Sequence, residues 1–221
     1  MSNITLYDYW RSSASYRVRI ALNLKGLDFE TVTVDLLKGE QKAAENLHRN
    51  PQGLVPSLDL GGDMMTQSLA IIEYLDELHP SPALMPTTAR ERARVRTLSH
   101  AIAMDIHPVC NLGVVQRIVE LAGGDEQIKV NWMREFISKG LGAFEELLGD
   151  GQSGRFCHGE QVGWQISVLC HRFITPTAGA SIAPTSPASM QFSRLRSNWR
   201  PSKRLPHGNR PEEDQSLLQK K

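Results

Sequence analysis

The sequence predicts an α/β domain followed by an all-α domain, and three observations support this prediction. Over about the first 80 residues, segments rich in β-forming residues alternate with helical segments in the order βαβ–ββα. Pro56 stands at the start of a predicted strand. A proline there is better suited to a strand end or a cis peptide bond than to a central strand of a sheet. From Thr88 onward the apolar residues recur at helical spacing.

The first domain is predicted to span residues 1–80. Val18, Ala21 and Leu22 form the apolar stripe of its first helix, and Gly26 ends that helix. The predicted elements are, in order, a strand at Ile4–Tyr9, the helix after Ser12 and Ser13, a strand at Phe29–Val34, a short polar helix at Gln41–Arg49, a strand at Val55–Leu60, a turn at Gly61–Asp63, a strand at Met64–Thr66 and a helix from Gln67 to near His79.

A proline-rich linker at residues 81–87 leads to a helical domain predicted at residues 88–160. One long helix is expected from Thr88 to about Ile106, with a break at His107-Pro108 and a continuation to Leu121. Another is expected from about Asp125 to Leu148, and its apolar face should carry Phe136, Leu141, Phe144, Leu147 and Leu148.

Composition and charge argue against several classes of protein. The 221-residue chain has 25 Lys and Arg residues against 24 Asp and Glu residues, and this balance argues against nucleic acid as a partner. We expect no membrane span, because no apolar run approaches ~18 residues, and no export signal, because the N-terminus MSNITLYDYW has no basic region followed by an apolar one. Three cysteines without a pairing framework suit the reducing cytoplasm, and no residue cluster has the spacing of a metal site or a phosphate-binding loop.

The last part of the chain differs from the rest. Residues 1–160 hold 16 basic and 21 acidic residues, whereas residues 161–221 hold 9 basic and 3 acidic ones. From residue 161 to residue 211 the chain contains no acidic residue and is dense in Ser and Pro. This composition predicts a disordered segment over residues 161–221.

Three segments of the first domain resemble the zeta class of the glutathione S-transferases. They are RSSASYRVRIALNLKG at residues 11–26, NPQGLVPSL at residues 50–58 and QSLAIIEYLDE at residues 67–77. The segment DIHPVCNL at residues 105–112 is similar to the same class. The resemblance covers residues 3–160 and implies the glutathione S-transferase fold, with a thioredoxin-like domain that binds glutathione and an all-α C-terminal domain that is incomplete here.

The resemblance also implies an activity, the cis–trans isomerisation of maleylacetoacetate to fumarylacetoacetate in tyrosine and phenylalanine breakdown, with glutathione as cofactor. Addition of a thiolate turns the double bond into a rotatable single bond, and elimination then releases the trans isomer. A cytoplasmic homodimer that acts on a small dicarboxylate is implied as well. Three alternatives stay open: a maleylpyruvate isomerase, a zeta-class glutathione transferase, and a glutathione-binding module that is inactive because of its altered C-terminus.

Ser12 and Ser13 stand where the first strand meets the first helix. The residues alone favour an N-cap, since serine accepts hydrogen bonds from the N–H groups of a first helical turn. The resemblance implies that one of the two hydroxyls, Ser12 by preference, hydrogen-bonds the sulfur of glutathione and stabilises its thiolate. Arg11, beside them, would hold one carboxylate of a dicarboxylate substrate, although a lone arginine in a turn is usually only solvated.

Two further segments carry a structural and a functional interpretation. Val55-Pro56 is expected to form a cis-proline turn, and the resemblance implies that the Val55 backbone pairs with the cysteinyl part of glutathione. Gln67 and Ser68 are expected to cap the third helix, and the resemblance implies that Ser68 receives the γ-glutamyl carboxylate.

His107 and Cys110 are the candidate glutathione contacts of the second domain. A structural role for His107, in the helix break with Pro108, is the alternative. Cys110 stands where the family tends to have Gln or Asn that reaches glutathione. No residue is assigned to a metal.

The resemblance also offers an explanation of the unusual tail. The family carries a later motif of the form (L/M)AD(I/L)(S/C)LVPQVYNA, whereas this chain reads GWQISVLCHRFIT from Gly163. Back-translation of those residues with a shift of one base permits LADISLVPQVYNA. We therefore expect a single-base deletion near codon 163 to have replaced the last helices of the second domain and an arginine of the family's site. The alternative is a genuine Ser- and Pro-rich tail.

Overall fold

The computed structural model describes residues 4–164, which form two compact units, residues 4–82 and residues 83–164. The predictions for the tail beyond residue 164 lie outside the described residues. The first unit contains, in order, β1 (Ile4–Asp8), α1 (Ser13–Leu24), β2 (Glu30–Thr33), a 3₁₀ turn (Glu40–Lys42), α2 (Ala44–Arg49), β3 (Ser57–Leu60), β4 (Met64–Thr66) and α3 (Ser68–Leu78).

The four strands of the first unit form one mixed sheet in the order β2-β1-β3-β4. β2 runs parallel to β1, whereas β3 is antiparallel to β1 and β4 is antiparallel to β3. The predicted βαβ–ββα order is therefore confirmed. β2 is shorter than the predicted strand at 29–34, and all four of its residues are exposed, as is common at the edge of a sheet.

The core of the first unit is shared by the central strands and by α1 and α3, which pack against each other. Each fully buried aliphatic side chain contributes about 1.5–3 kcal/mol relative to exposure. The larger aliphatic side chains without solvent exposure are Leu6, Val18, Ile20, Leu22, Leu58, Ile71, Ile72 and Leu75. This shared core fixes where the two helices begin relative to the sheet.

One buried cation ties the C-terminal ends of α1 and α3 together. The side chain of Lys25 has no solvent exposure, and its Nζ donates to Asp76 Oδ1 at 2.6 Å. The same ammonium donates to the carbonyls of His79 and Pro82 at 2.5 and 2.6 Å. Since an ammonium group has three N–H donors, all of them are used, and the start of the linker is held against α1.

The second unit is helical, with α4 (Ala89–His100), a π-helical segment (Ala101–Ile106), α5 (Leu112–Leu121) and α6 (Glu126–Leu148). The predicted break at His107-Pro108 is confirmed, because residues 107–110 form turns before α5. The predicted fold class, an α/β domain followed by an all-α domain, is confirmed over the described residues. Among those residues, no helix is both long enough and apolar enough to span a membrane.

The core of the second unit lies between α6, the π-helical segment and their neighbours. Its buried side chains are Leu98, Ile102, Ile106, Val115, Met133, Ile137, Phe144 and Cys157. Leu141 and Leu148 pack against this cluster as predicted. Leu147 is 40% exposed, so its prediction is wrong, because it falls beside the stripe that Ile137, Phe144 and Leu148 share. The ring of Phe136 instead contacts that of Trp132, with centroids 4.4 Å apart and the ring planes tilted by 41°.

Arg94 joins α4 to the segment that follows α6. Its Nε and Nη2 donate to the two carboxylate oxygens of Asp150, at 2.5 and 2.7 Å. Its Nη1 donates to the carbonyl of Cys157 at 2.7 Å, and its Nη2 also donates to Ser153 Oγ at 3.1 Å. The hydrogen bonds from Arg94 lower the pKa of Asp150, and the backbone N–H of Gln152 adds to this effect.

Gly140 permits a close approach between α6 and the π-helical segment. A Cβ at Gly140 would overlap Cγ1 and Cδ1 of Ile106, which is buried in the core. We predict that Gly140→Ala lowers the free energy of unfolding by about 1–3 kcal/mol, since Ile106 must shift within a packed core. Gly142→Ala is the matched control: its Cβ would meet open space, and alanine should stabilise the helix by about 0.5–1 kcal/mol. Denaturant titration measures both, and equal effects would contradict the prediction.

Asp150 should make the stability of the protein sensitive to acid. The pKa of Asp150 is lower in the folded than in the unfolded chain. Its contribution to stability is therefore fully present above the unfolded-state pKa of about 3.9, and it is lost as the pH falls through the folded-state pKa. We predict that Asp150→Asn is less stable than the unchanged protein at neutral pH and nearly equal to it at the acid end. Glu120→Gln, in an exposed pair with Arg117, is the control and should change little at either pH. A constant difference for Asp150→Asn across this range would argue against the prediction.

Candidate active site

Strand pairing brings the predicted site segments of the first unit to one edge of the sheet. Tyr7 of β1 pairs with Ser57 of β3, and Ser57 pairs with Thr66 of β4. Because these neighbouring strands are antiparallel, the residues that follow β1, precede β3 and follow β4 all lie at the same end of the strands. The segments gathered there are Ser12 with Ser13, Val55 with Pro56, and Gln67 with Ser68.

Ser12 is the N-cap of α1. Its Oγ accepts a hydrogen bond from the N–H of Ser15 at 3.2 Å, and its backbone N–H donates to the carbonyl of Tyr9 at 2.9 Å. The capping interpretation is therefore confirmed, and it leaves the hydroxyl proton of Ser12 as a donor. Ser13 is buried and is the first residue of α1, where the N–H groups of the first turn and the helix dipole favour negative charge.

A buried ion pair supports the loop between β1 and α1. Nη1 of Arg19 lies 3.4 Å from Oδ2 of Asp8, and both side chains are almost fully buried. Nη2 of Arg19 donates to the carbonyl of Trp10 at 3.1 Å. Burial raises the pKa of Asp8, and the attraction of Arg19 only partly opposes this effect. The pair fixes the backbone that leads to Ser12.

Arg11 is exposed, and its guanidinium carbon lies 5.6 Å from the centre of the Trp10 ring. This stacking contact leaves the planar fork of N–H donors at the surface, next to Ser12. An exposed cation at this position can meet an anion that approaches the N-terminus of α1.

The Val55-Pro56 peptide bond is cis, as predicted. Val55 is half-buried, and neither its N–H nor its carbonyl has a hydrogen-bond partner among residues 4–164. The preceding loop is held by the buried side chain of Asn50, which donates to the carbonyl of Leu54 at 3.0 Å. The segment therefore presents a fixed backbone at the sheet edge with both polar groups available to a ligand.

Gln67 and Ser68 begin α3 in a way that the sequence did not predict. The side chain of Gln67 makes no capping bond, so the expected cap by Gln67 is wrong; its Nε2 donates instead to Oε1 of Gln52 at 2.6 Å. Gln67 has a φ of 67°, the one positive φ of a non-glycine residue among residues 4–164. Such a conformation costs about 1–3 kcal/mol and is found where the surroundings fix it, often at a binding site.

Ser68 is 6% exposed, and its Oγ accepts a hydrogen bond from Nη1 of Arg17 at 2.7 Å. Arg17, Asp8 and Arg19 also belong to this region and were not predicted from the sequence. One signal was available: Arg17 and Arg19 stand inside the apolar stripe of α1, and a charge on a buried face needs a designated partner.

His107 and Cys110 belong to the second unit, and their predicted contacts with glutathione remain predictions. The backbone N–H of His107 donates to the carbonyl of Ile102 at 3.0 Å at the end of the π-helical segment. Cys110 is half-buried and packs against the core cluster of this unit. Burial raises the pKa of its thiol to about 11, so Cys110 is neutral at physiological pH. The part of the chain that the structure describes holds no group of His, Cys, Asp and Glu suited to a metal ion.

Comparison with known proteins agrees with this geometry. Residues 6–83 match the family model "Glutathione S-transferase, N-terminal domain". A maleylacetoacetate isomerase of Rhizobium meliloti (strain 1021) is 58% identical over 162 residues, which are 73% of this chain and 76% of that protein. A holo structure of a bacterial maleyl pyruvate isomerase, a glutathione S-transferase in the zeta class, has a TM-score of 0.86 at 34% identity and covers 94% of this chain and 99% of its own. A maleylacetoacetate isomerase of Methylobacterium extorquens AM1, solved with bound malonate and GSH, has a TM-score of 0.81 at 36% identity and covers 87% of this chain and 90% of its own.

Two variants of Ser12 test the cap at the start of α1. Ser12→Ala removes the acceptor for the Ser15 N–H and should lower the free energy of unfolding by about 1 kcal/mol. Ser12→Asp keeps an acceptor and should stay within about 0.5 kcal/mol of the unchanged protein. Thermal or denaturant unfolding followed by circular dichroism measures both. Equal losses in the two variants would show that the hydrogen bond contributes nothing to stability.

Proposed function

The chain belongs to the zeta class of the glutathione S-transferase family, and on this premise we propose that it converts maleylacetoacetate to fumarylacetoacetate with glutathione as cofactor. One observation carries the proposal: two helix N-termini, each with a serine hydroxyl, meet at one edge of the sheet with the Val55 backbone, which has no hydrogen-bond partner among residues 4–164. The name of the relative that is 58% identical supports this choice of substrate.

The polar groups at the sheet edge fit a peptide thiol with a free carboxylate. The backbone of Val55 can pair with the cysteinyl peptide groups of glutathione in the way an added strand pairs with a sheet edge. The N-terminus of α3, with Ser68, suits the γ-glutamyl carboxylate, because helix N-termini favour anions. Ser12, at the N-terminus of α1, suits the sulfur. In this proposal the first unit is the glutathione-binding domain.

Glutathione supplies, when bound, a sulfur nucleophile that adds reversibly to the activated double bond of the substrate and is released unchanged. The oxygen of Ser12 already accepts from the N–H of Ser15, so its own proton is the part of the hydroxyl that is left to donate toward the sulfur. A donor there, together with the positive end of α1, favours a thiolate over a thiol. Ser13, the next residue, is the second candidate for this role.

Arg11 is proposed to hold one carboxylate of the substrate. It is exposed beside Ser12, and its fork of N–H groups matches a carboxylate. His107 and Cys110 are proposed to contact glutathione from the second unit. Cys110 would do so as a neutral group, since burial raises the pKa of its thiol to about 11.

A cytoplasmic homodimer completes the proposal, by analogy with the family. Analytical ultracentrifugation of the purified chain tests the assembly. A dimer mass agrees with the proposal, and a monomer mass at the concentrations used in assays contradicts it.

A second candidate substrate is maleylpyruvate, a shorter acid with the same kind of double bond. The TM-score of 0.86 to a maleyl pyruvate isomerase favours it. The ratio of kcat/KM for the two acids decides between them, and a ratio above about tenfold corresponds to more than about 1.4 kcal/mol of transition-state preference. A chain that binds glutathione and turns over neither acid would be the inactive module instead.

The main test follows loss of the cis acid with and without glutathione. We predict turnover only when glutathione is present. Ser12→Asp should stay folded, because it keeps the cap, but should lower kcat/KM by about tenfold or more, because its carboxylate opposes a thiolate. Ser12→Thr, which keeps both the cap and the hydroxyl, is the control and should retain most activity. Equal rates with and without glutathione would refute the proposed function.

A further inference from the structure

Arg17 is a buried cation that the proposed function has not used. It lies on α1 and is 2% exposed, and its Nη1 donates to Oγ of Ser68 at 2.7 Å. Ser68 is 51 residues away in the sequence and is the first residue of α3. The hydrogen bond therefore links the helix that begins at Ser12 to the helix that begins at Ser68.

The chemistry of the pair fixes the direction of its hydrogen bond. A guanidinium group has N–H donors and no acceptor, so the oxygen of Ser68 must accept from Arg17. A hydroxyl has one proton, and that proton of Ser68 is then left to donate to another group. The first turn of α3 adds backbone N–H donors and the positive end of a helix dipole around the same hydroxyl. The Ser68 hydroxyl is therefore a hydrogen-bond donor that lies next to the positive charge of Arg17 and the positive end of α3.

We propose that Arg17 is a positioning residue that makes this end of α3 selective for the γ-glutamyl carboxylate of glutathione. It holds the Ser68 hydroxyl as a donor, and it places a permanent positive charge beneath the N-terminus of α3. The inference rests on the proposed function, in which Ser68 receives that carboxylate. Arg17 itself is buried and acts through Ser68.

An arginine suits this role better than a lysine. Its charge persists when it is buried, whereas a buried lysine readily loses its proton. Its planar fork also fixes the direction of the N–H group that holds Ser68. Arg17→Lys should therefore keep part of the effect, and Arg17→Gln should lose most of it.

Calorimetric titration of the full chain with two peptides tests the proposal. One peptide is glutathione, and the other is its analogue in which a carboxamide replaces the α-carboxylate of the γ-glutamyl residue. The unchanged protein should bind glutathione about tenfold or more tightly than the carboxamide. Arg17→Gln should weaken glutathione binding by about tenfold and carboxamide binding by less than about threefold, so that the preference falls. Arg17→Lys should give an intermediate preference.

Lys25→Gln is the matched control, since it removes another buried cation at the opposite end of α1. It should lower stability and leave the preference between the two peptides unchanged. Ser68→Ala should lower the preference for glutathione as well. In the double variant, Arg17→Gln should lower that preference little further, because the two residues act together. If Arg17→Gln does not fold, Arg17→Lys and Ser68→Ala still decide the question.

The outcomes separate the two proposals. If the unchanged protein binds neither peptide, the proposed function fails, and this inference fails with it. If it binds both peptides equally, glutathione binding stands and the role of Arg17 is refuted. The role is also refuted if the Arg17 variants weaken the binding of both peptides to the same extent, or if Ser68→Ala leaves the preference for glutathione over the carboxamide unchanged.

Discussion

The antiparallel position of β3 between β1 and β4 is the constraint on which the site depends. Ser57 pairs with Tyr7 on one side and with Thr66 on the other, so the end of β1, the start of β3 and the end of β4 lie at the same edge of the sheet. A shift of the register by one residue would turn every side chain of a strand to the other face, so the buried Leu6 and Leu58 hold this alignment in place. The core of the first unit therefore brings together the serine at the start of α1, the backbone before Pro56 and the serine at the start of α3.

Buried charges on and next to α1 connect that core to the site. α1 contains no acidic residue, and its two internal arginines are both buried. Because a buried charge is costly unless it is paired, each cation sits against a defined acceptor: Arg19 faces Asp8, Arg17 donates to Ser68, and Lys25 at the C-cap binds Asp76. These contacts join α1 to β1 at one end and to both ends of α3. Of these three contacts, the one between Arg17 and Ser68 lies at the start of α3 and puts a buried cation next to the sheet edge of the site.

Much of the fold, and less of the site, could be predicted from the sequence. Periodicity and turn residues gave the order of the strands and helices, because local patterns determine them. The resemblance pointed to Ser12, Val55 and Ser68, and strand pairing then placed all three at one edge. The position of Arg17 in the apolar stripe of α1 indicates that it needs a partner, but nothing local identifies Ser68 as that partner, since 51 residues separate the two. Gln67 was misjudged for a related reason: its backbone conformation and its bond to Gln52 depend on the assembled loops.

The ionisation of bound glutathione tests the central claim most directly. Ultraviolet difference spectra of the protein with glutathione, recorded across a pH series, report the fraction of thiolate. We expect a thiol pKa well below that of free glutathione, because the Ser12 hydroxyl and the N-terminus of α1 stabilise the anion. A bound thiol that titrates like free glutathione, in a protein that still binds the peptide, would contradict it.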